Sequence, residues 1–185
     1  MYQQYIDIIK ERLKPKRFVH SMNVADCARG LAEKYGADPQ KAYLSGLLHD
    51  ICKNDTEEKQ LQMIQEFDII LDNVQSTQKK LWHAVLGAEY IKRVVGIDDK
   101  EIIDAVRYHT TARAGMTLLD KILYLADFIS EERDFDGVDE LRAAADVSLD
   151  NAITECLRFS VVDLCNSLKP VHIDTIAAYN EYVGR

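Results

Sequence analysis

Residues 42–52 read AYLSGLLHDIC, a stretch in which His49 and Asp50 are the only side chains that readily carry charge. Apolar residues recur here at helical spacing behind Asp38-Pro39, an N-cap residue followed by proline at the first helical position. The spacing predicts a buried helix from there to about Ile51. A lone carboxylate on such a helix is expensive to bury, so Asp50 must be paired, bound to a metal or turned to a wet cleft. The same question recurs along the chain. Asp127 is the only charged residue of ILYLADFI (122–129), His20 lies within FVHSMNVA (18–25), His83 lies within LWHAVLGA (81–88), and His109 closes a helix just before Thr110-Thr111.

On either side of this stretch the pattern is helical from end to end, and no run alternates in the manner of a strand. Ile6, Ile9 and Leu13 mark a first helix that stops before Pro15. Phe18, Met22, Ala25, Leu31 and Tyr35 mark a second, closed by Gly36. Asp55 and Thr56 open a fourth helix to Phe67, with Glu58 placed to complete a capping box with Asp55. Residues 68–78 read as a loop whose Ile69, Ile70 and Leu71 need burial. A fifth helix covers Lys79 to Val95 with Gly96 as its end, and Asp98 caps a sixth that reaches His109. After the loop 110–116, Thr117 and Asp120 open a seventh helix to Ile129, and the acidic turn 130–137 follows. Further helices lie near 138–145 and 149–168, then Pro170 as a stop, then 174–183. The expectation is one all-α domain over 1–185, a bundle of about nine to ten helices with its core near 16–130.

Composition narrows the function. The 185 residues include only 8 Gly and 3 Pro, which suits long elements, and a chain of this length buries roughly 70% of its unfolded surface without staples. The net charge of −8 argues against a binder of long nucleic acid, which needs a basic stripe to displace counterions. No run lacking Asp, Glu, Lys and Arg exceeds eight residues, far from the roughly 18 of a membrane span. With no basic start leading into an apolar run, no secretory signal is visible, and a cytoplasmic protein is expected. Cys27, Cys52, Cys156 and Cys165 form no Cys-x-x-Cys pair and read as reduced core thiols.

Singly, each histidine is more often an ordinary core or surface residue than a ligand. The set differs. Four of the five histidines and two stranded carboxylates are spread over five separate helices, and inward residues of a helical bundle can converge on one point. Imidazoles with carboxylates suit iron, manganese or zinc, and the lack of nearby thiolates argues against structural zinc. Two arrangements remain open: six ligands for two ions, or four for one ion with two histidines facing substrate.

The pattern His20, His49-Asp50, Asp127 resembles the H…HD…D signature of the HD-domain metal-dependent phosphohydrolases, and His83 and His109 are similar to the extra histidines of its two-metal branch. Lys16-Arg17-Phe18-Val19-His20-Ser21, His49-Asp50-Ile51-Cys52-Lys53, His109-Thr110-Thr111, Leu123 to Asp127, Arg133-Asp134-Phe135 and Tyr179-Asn180 together resemble the bacterial YqeK proteins. These are symmetrical hydrolases of bis(nucleosyl) tetraphosphates that cut diadenosine tetraphosphate into two ADP, typically with iron. Two departures stand out: Cys52 where a small residue is usual, and Ile129-Ser130-Glu131 where Ile-Glu-Pro is usual.

The resemblance implies that His20, His49, Asp50 and Asp127 hold a metal and that His83 and His109 contact phosphate or a second ion. It implies one or two iron ions, with manganese or cobalt as substitutes. Asp50, Lys53, His83 and His109 are its catalytic candidates. Thr110 and Arg133 join them, His20 and Asp127 on the substrate, and Pro170, Val171, His172, Ile173, Asp174 and Thr175 line a nucleoside pocket completed by helices 138–185. The expected ligands are diadenosine tetraphosphate and ADP- or GDP-like products, with no membrane or long nucleic acid; a homodimer stays open. His83 or His109, near the usual imidazole pKa, could protonate the departing diphosphate. Another HD-type nucleotide phosphohydrolase, such as a nucleotidase or a guanosine tetraphosphate hydrolase, is the alternative, as is a non-catalytic sensor of nucleotide or metal.

Overall fold

A computed structural model describes residues 2–184. They form ten α-helices: α1 (Gln3–Arg12), α2 (Pro15–Tyr35), α3 (Pro39–Leu48), α4 (Glu57–Glu66), α5 (Trp82–Tyr90), α6 (Lys100–Tyr108), α7 (Leu118–Ile129), α8 (Val138–Val147), α9 (Leu149–Asn166) and α10 (Ile173–Val183). No strand occurs among the described residues. Helices α2, α3, α6 and α7 pack on one another as the centre of the bundle. Helix α5 covers α6 on one side, and α8 and α9 cover α7 on the other. Leu47, Leu48, Ile51, Leu86, Ile122, Leu123 and Leu125 fill the interior with almost no exposure.

Local chemistry sets the ends. Asp38 accepts from Gln40 N at 2.8 Å and from Lys41 N, and Pro39 sits where a missing N–H costs nothing. Gly36 closes α2 in the left-handed region at φ 80°. Thr117 and Asp120 cap α7 reciprocally. Between α2 and α3 the backbones come so close that a Cβ on Gly46 would lie 2.5 Å from Ala25 Cα. That approach brings the end of α3 against the middle of α2.

Several boundaries differ from the sequence expectation. Helix α3 ends at Leu48 rather than Ile51, because the chain turns through residues 49–54 and delivers His49 and Asp50 from a helix end. Thr56, not Asp55, caps α4, since the Asp55 carboxylate is engaged by Arg12 at 2.5 Å and by Lys59 at 2.7 Å. Asp99, not Asp98, caps α6. The fifth helix starts as a 3₁₀ turn at Lys79–Leu81 and widens to a π turn at Ile91–Val95, which lets Gly96 N–H reach Ile91 O. Ile69 and Leu71 pack on the core, but Ile70 stays 91% exposed. Cys52 and Cys156 are buried, whereas Cys27 is only partly so and Cys165 is exposed.

Candidate metal centre

Five elements meet at one point. His20 comes from the second turn of α2, His49 and Asp50 from the end of α3, His83 from the start of α5, His109 from the end of α6 and Asp127 from the last turn of α7. His20, His49, Asp50, His83 and His109 are all buried, and the Asp127 side chain is 20% exposed. Three overlapping trios within this set have potential ligand atoms mutually within 4.8 Å: His20 with His49 and Asp50, His49 with His109 and Asp127, and Asp50 with His83 and His109.

The second nitrogen of each ring fixes its tautomer. His49 Nδ1 lies 2.7 Å from Gly46 O, His83 Nδ1 2.7 Å from Lys80 O and His109 Nδ1 2.7 Å from Val106 O. A carbonyl only accepts, so each Nδ1 carries the hydrogen, and in the neutral ring each Nε2 presents a lone pair. For His49 and His109 the acceptor is a last-turn carbonyl that the helix end leaves without an intrahelical partner. His20 reaches the same state differently, by donating Nδ1–H to the Glu132 carboxylate. All four Nε2 atoms then face inward in two pairs, His20 with His49 at 3.3 Å and His83 with His109 at 3.2 Å. Lone pairs directed at each other across 3.2–3.3 Å call for a cation between them.

Asp50 joins the two pairs. Its Oδ2 lies 3.3 Å from His49 Nε2 and 3.8 Å from His20 Nε2, while Oδ1 lies 3.2 Å from His83 Nε2 and 3.7 Å from His109 Nε2. Oδ1 is fully buried and has no hydrogen bond of its own. Asp127 Oδ1 is 3.1 Å from His20 Nε2. Neutral imidazoles and carboxylates around a buried acceptor fit a divalent cation. Cys52 does not compete, because its sulfur faces Arg12 at 3.9 Å and burial pushes its thiol up to about 12.

Electrostatics agree with the donor geometry. Burial by itself raises the Asp50 carboxyl, but the surrounding imidazoles of His49, His109 and His83 outweigh burial and hold it well below its usual range. For Asp127 burial is again outweighed, here by the His20 imidazole and the nearby His49 and Arg133. Burial pushes His83 down to about 4, against the pull of Asp50. A ring that stays neutral at pH 7 suits lone-pair donation and ill suits the proton-donor role expected from a reference imidazole.

Cations ring the opening. Lys53 Nζ lies 3.0 Å from His83 Nε2 and 3.7 Å from Asp50 Oδ1, and burial lowers its pKa although Asp50 and Asp127 oppose that. Arg133 donates Nε–H to Asp127 O at 2.7 Å and pairs with the Asp127 carboxylate. Two cavities adjoin the centre, and a third is bounded by the loop that follows His109. One of about 290 Å³ is lined by His109, Thr110, Asp127, Arg133 and the rings of Phe128, Phe135 and Phe159. A second, about 270 Å³, is lined by Lys16, Arg17, His20, Glu132 and Arg133. The third, about 180 Å³, is bounded by Asp72, Gln75, Tyr108, Thr110, Thr111 and Asp174.

The segment 170–175 lies along the third cavity, but only Asp174 lines it. Pro170 and Ile173 are exposed, and Val171 is half-buried. Thr175 donates to Thr111 O at 2.7 Å, tying α10 to the loop after His109. His172 is buried with both nitrogens engaged: Nδ1 accepts from Asp174 N at 3.1 Å, and Nε2 donates to Asp72 Oδ2 at 2.5 Å. Two residues at the centre had no individual signal in the sequence. Arg17 donates to Asp50 Oδ2 at 2.7 Å, and Glu132 orients His20. Arg17 stands in an ordinary basic run and Glu132 in an acidic turn; neither interrupts an apolar helix.

Comparison with known proteins places this geometry. Residues 17–132, which contain all six cluster residues, match the HD domain family model. The chain is 37% identical over 185 residues to the symmetrical bis(5'-nucleosyl)-tetraphosphatase of Bacillus subtilis, covering 98% of this chain and 97% of that protein. It is 36% identical over 176 residues to the protein of the same name from Halalkalibacterium halodurans, covering 95% and 94% respectively. A crystal structure described as a predicted HD superfamily hydrolase involved in NAD metabolism, from Clostridium acetobutylicum, superposes with a TM-score of 0.95 at 36% identity. It covers 100% of this chain and 98% of the other.

Proposed function

The chain belongs to the HD-domain family and, within it, groups with the symmetrical bis(5'-nucleosyl)-tetraphosphatases; from that premise we propose that it hydrolyses diadenosine tetraphosphate to two ADP in a metal-dependent reaction. The observation that carries the proposal is Asp50, whose two oxygens each face a different pair of histidine lone pairs in a buried cluster.

In this reading His20, His49, Asp50 and Asp127 hold one cation. Asp50, His83 and His109 would hold a second. Iron is the proposed ion, with manganese or cobalt as substitutes, since imidazole and carboxylate donors suit all three. When bound, such cations lower the pKa of a water toward ~7 and withdraw charge from a phosphoryl oxygen.

The protein supplies the rest. Each Nδ1–H bond fixes the orientation of its imidazole with Nε2 facing inward, so the centre needs little reorganisation before reaction. Lys53 stands beside Asp50 and His83, where an ammonium neutralises charge building on the departing ADP. A terminal phosphate has a second pKa near ~6, so neutralisation matters more to that leaving group than a donated proton. Arg133 borders two cavities and can clamp phosphate in a bidentate manner from a position fixed by Asp127. Lys16 and Arg17 add positive charge along one wall, giving the polyphosphate a local path on an otherwise acidic protein. The aromatic cavity offers ring faces to one base. The cavity reached by Thr110 and Asp174 takes the other nucleoside.

Products decide the matter. Incubating metal-loaded protein with diadenosine tetraphosphate and separating nucleotides should give ADP alone; ATP plus AMP rejects the symmetrical cut, and an unchanged substrate rejects the activity.

A further inference from the structure

Three of the four inward histidines orient themselves. His49, His83 and His109 each donate Nδ1–H to the carbonyl three residues earlier in the chain, at 2.7 Å. They stand at helix ends or at a 3₁₀-to-α junction, where such carbonyls are available. His20 cannot do this. It sits in the second turn of the 21-residue helix α2, where the preceding backbone carbonyls are committed to the helix, so its ring needs an acceptor from elsewhere.

That acceptor is Glu132, 112 residues further on. Its carboxylate is itself held from two sides: Ser130 Oγ donates to Oε1 at 2.9 Å and Asn23 Nδ2 donates to Oε2 at 2.8 Å. The turn that carries it is clamped in turn by Arg142 of α8, which donates to Ile129 O at 3.2 Å, Ser130 O at 2.9 Å and Arg133 O at 2.9 Å. Glu131 and Asp134, its acidic neighbours, make no comparable approach to the histidines among the described contacts. One acid of an acidic turn is therefore singled out and held.

We propose that Glu132 is a positioning residue of the centre. By accepting the His20 Nδ1 hydrogen it selects the tautomer that turns the His20 Nε2 lone pair toward His49 and Asp127. The inference rests on the metal reading above and adds to it a residue outside the ligand set, supplied by the turn at 130–133. Ser130 and Asn23 hold the carboxylate, and the Arg142 clamp holds the turn. The pairing also makes α8 part of the site's support, although α8 contributes no ligand.

The test is titration of metal-free protein with Mn(II), read by calorimetry, with the visible spectrum of the Co(II) form as a second readout. Glu132→Ala should weaken Mn(II) binding by about 10- to 100-fold, the usual cost of losing the partner behind a metal-bound imidazole, and should alter the Co(II) spectrum. Glu132→Gln keeps an oxygen acceptor for Nδ1–H and should recover most of the affinity. Glu131→Ala should bind as wild type, and the far-ultraviolet circular dichroism of every variant should be unchanged. Wild-type Mn(II) affinity in Glu132→Ala overturns the proposal, as does an equal loss in the Gln and Ala variants. Wild-type protein that binds neither Mn(II) nor Co(II) defeats the metal reading itself, a result distinct from either.

Discussion

His172 is as deeply buried as the four histidines of the centre, yet its ring is put to a different use. At the centre, Nδ1 carries the hydrogen and Nε2 faces another imidazole nitrogen, with Lys53 Nζ also 3.0 Å from His83 Nε2. At the start of α10 the tautomer is reversed. There Nδ1 accepts a backbone N–H as an N-cap, and Nε2 donates to Asp72, so the loop 68–78 is tied to α10 with no valence to spare. Burial therefore does not distinguish a ligand from a structural histidine. What distinguishes them is what the second nitrogen faces: at the centre another imidazole nitrogen and Asp50, with Lys53 beside His83, and at α10 a single carboxylate. The same accounting separates the carboxylates: Asp72 takes three hydrogen bonds, whereas Asp50 Oδ1 is buried with none.

The contrast can be broken most directly at Asp50. Asp50→Asn removes the charge that faces both histidine pairs while preserving shape. Turnover should fall by about 10²–10³-fold or more, with loss of bound metal in elemental analysis. Substitution of Asp72, which faces His172, should leave metal content intact.

A second way to break it is to move one helix. Gly46→Ala places a methyl group against the α2 backbone, where the neighbouring atoms cannot yield as a flexible side chain would. It should cost roughly 1–3 kcal/mol in denaturant unfolding and separate His20 from His49, lowering metal affinity as well.

Acid offers a third. In the unfolded chain His83 takes up a proton near ~6.5, but folded it does so only near about 4, because burial disfavours the charged ring. Above ~6.5 both states are neutral and the residue contributes nothing. As pH falls from ~6.5 to about 4 the unfolded chain binds a proton that the folded one does not, so metal-free protein should lose up to ~3 kcal/mol. Asp50 and Asp127, held low when folded, add losses in the same direction at still lower pH. Melting curves against pH should flatten between 6.5 and 4 in His83→Gln; an unchanged slope contradicts this assignment.

The smallest effect is expected at His172. His172→Ala removes an N-cap and the Asp72 tie, so about 1 kcal/mol of stability should be lost while Mn(II) affinity is retained. A marked drop in metal affinity would erase the distinction between the two kinds of histidine.

Much of this was legible in the sequence because both the fold and the ligands depend on periodicity. A charged residue stranded in an apolar helix is visible without coordinates, and Asp50, Asp127, His20 and His83 are all of that kind. Helix ends were legible where a cap is self-contained, as at Thr117 with Asp120. They shifted where a tertiary partner claimed the capping side chain, as Arg12 does with Asp55. Glu132 was not legible, since what marks it is a contact 112 residues away and nothing in Glu131-Glu132-Arg133-Asp134 ranks one acid above another. His172 shows the opposite case. The segment Pro170 to Thr175 drew attention as a whole, but only the fold reveals that Asp174 faces the cavity while His172 is spent on the loop.

The central claim is that the inward histidine nitrogens and Asp50 would hold cations on which cleavage of a polyphosphate bridge depends. The most direct measurement strips the protein with chelator and follows ADP release from diadenosine tetraphosphate as iron(II), manganese(II) or cobalt(II) is added back. The account predicts no turnover in the stripped protein and restoration that saturates with bound metal, with ADP as the sole product. Turnover unaffected by chelation, or none after any of the three metals is restored, would contradict it.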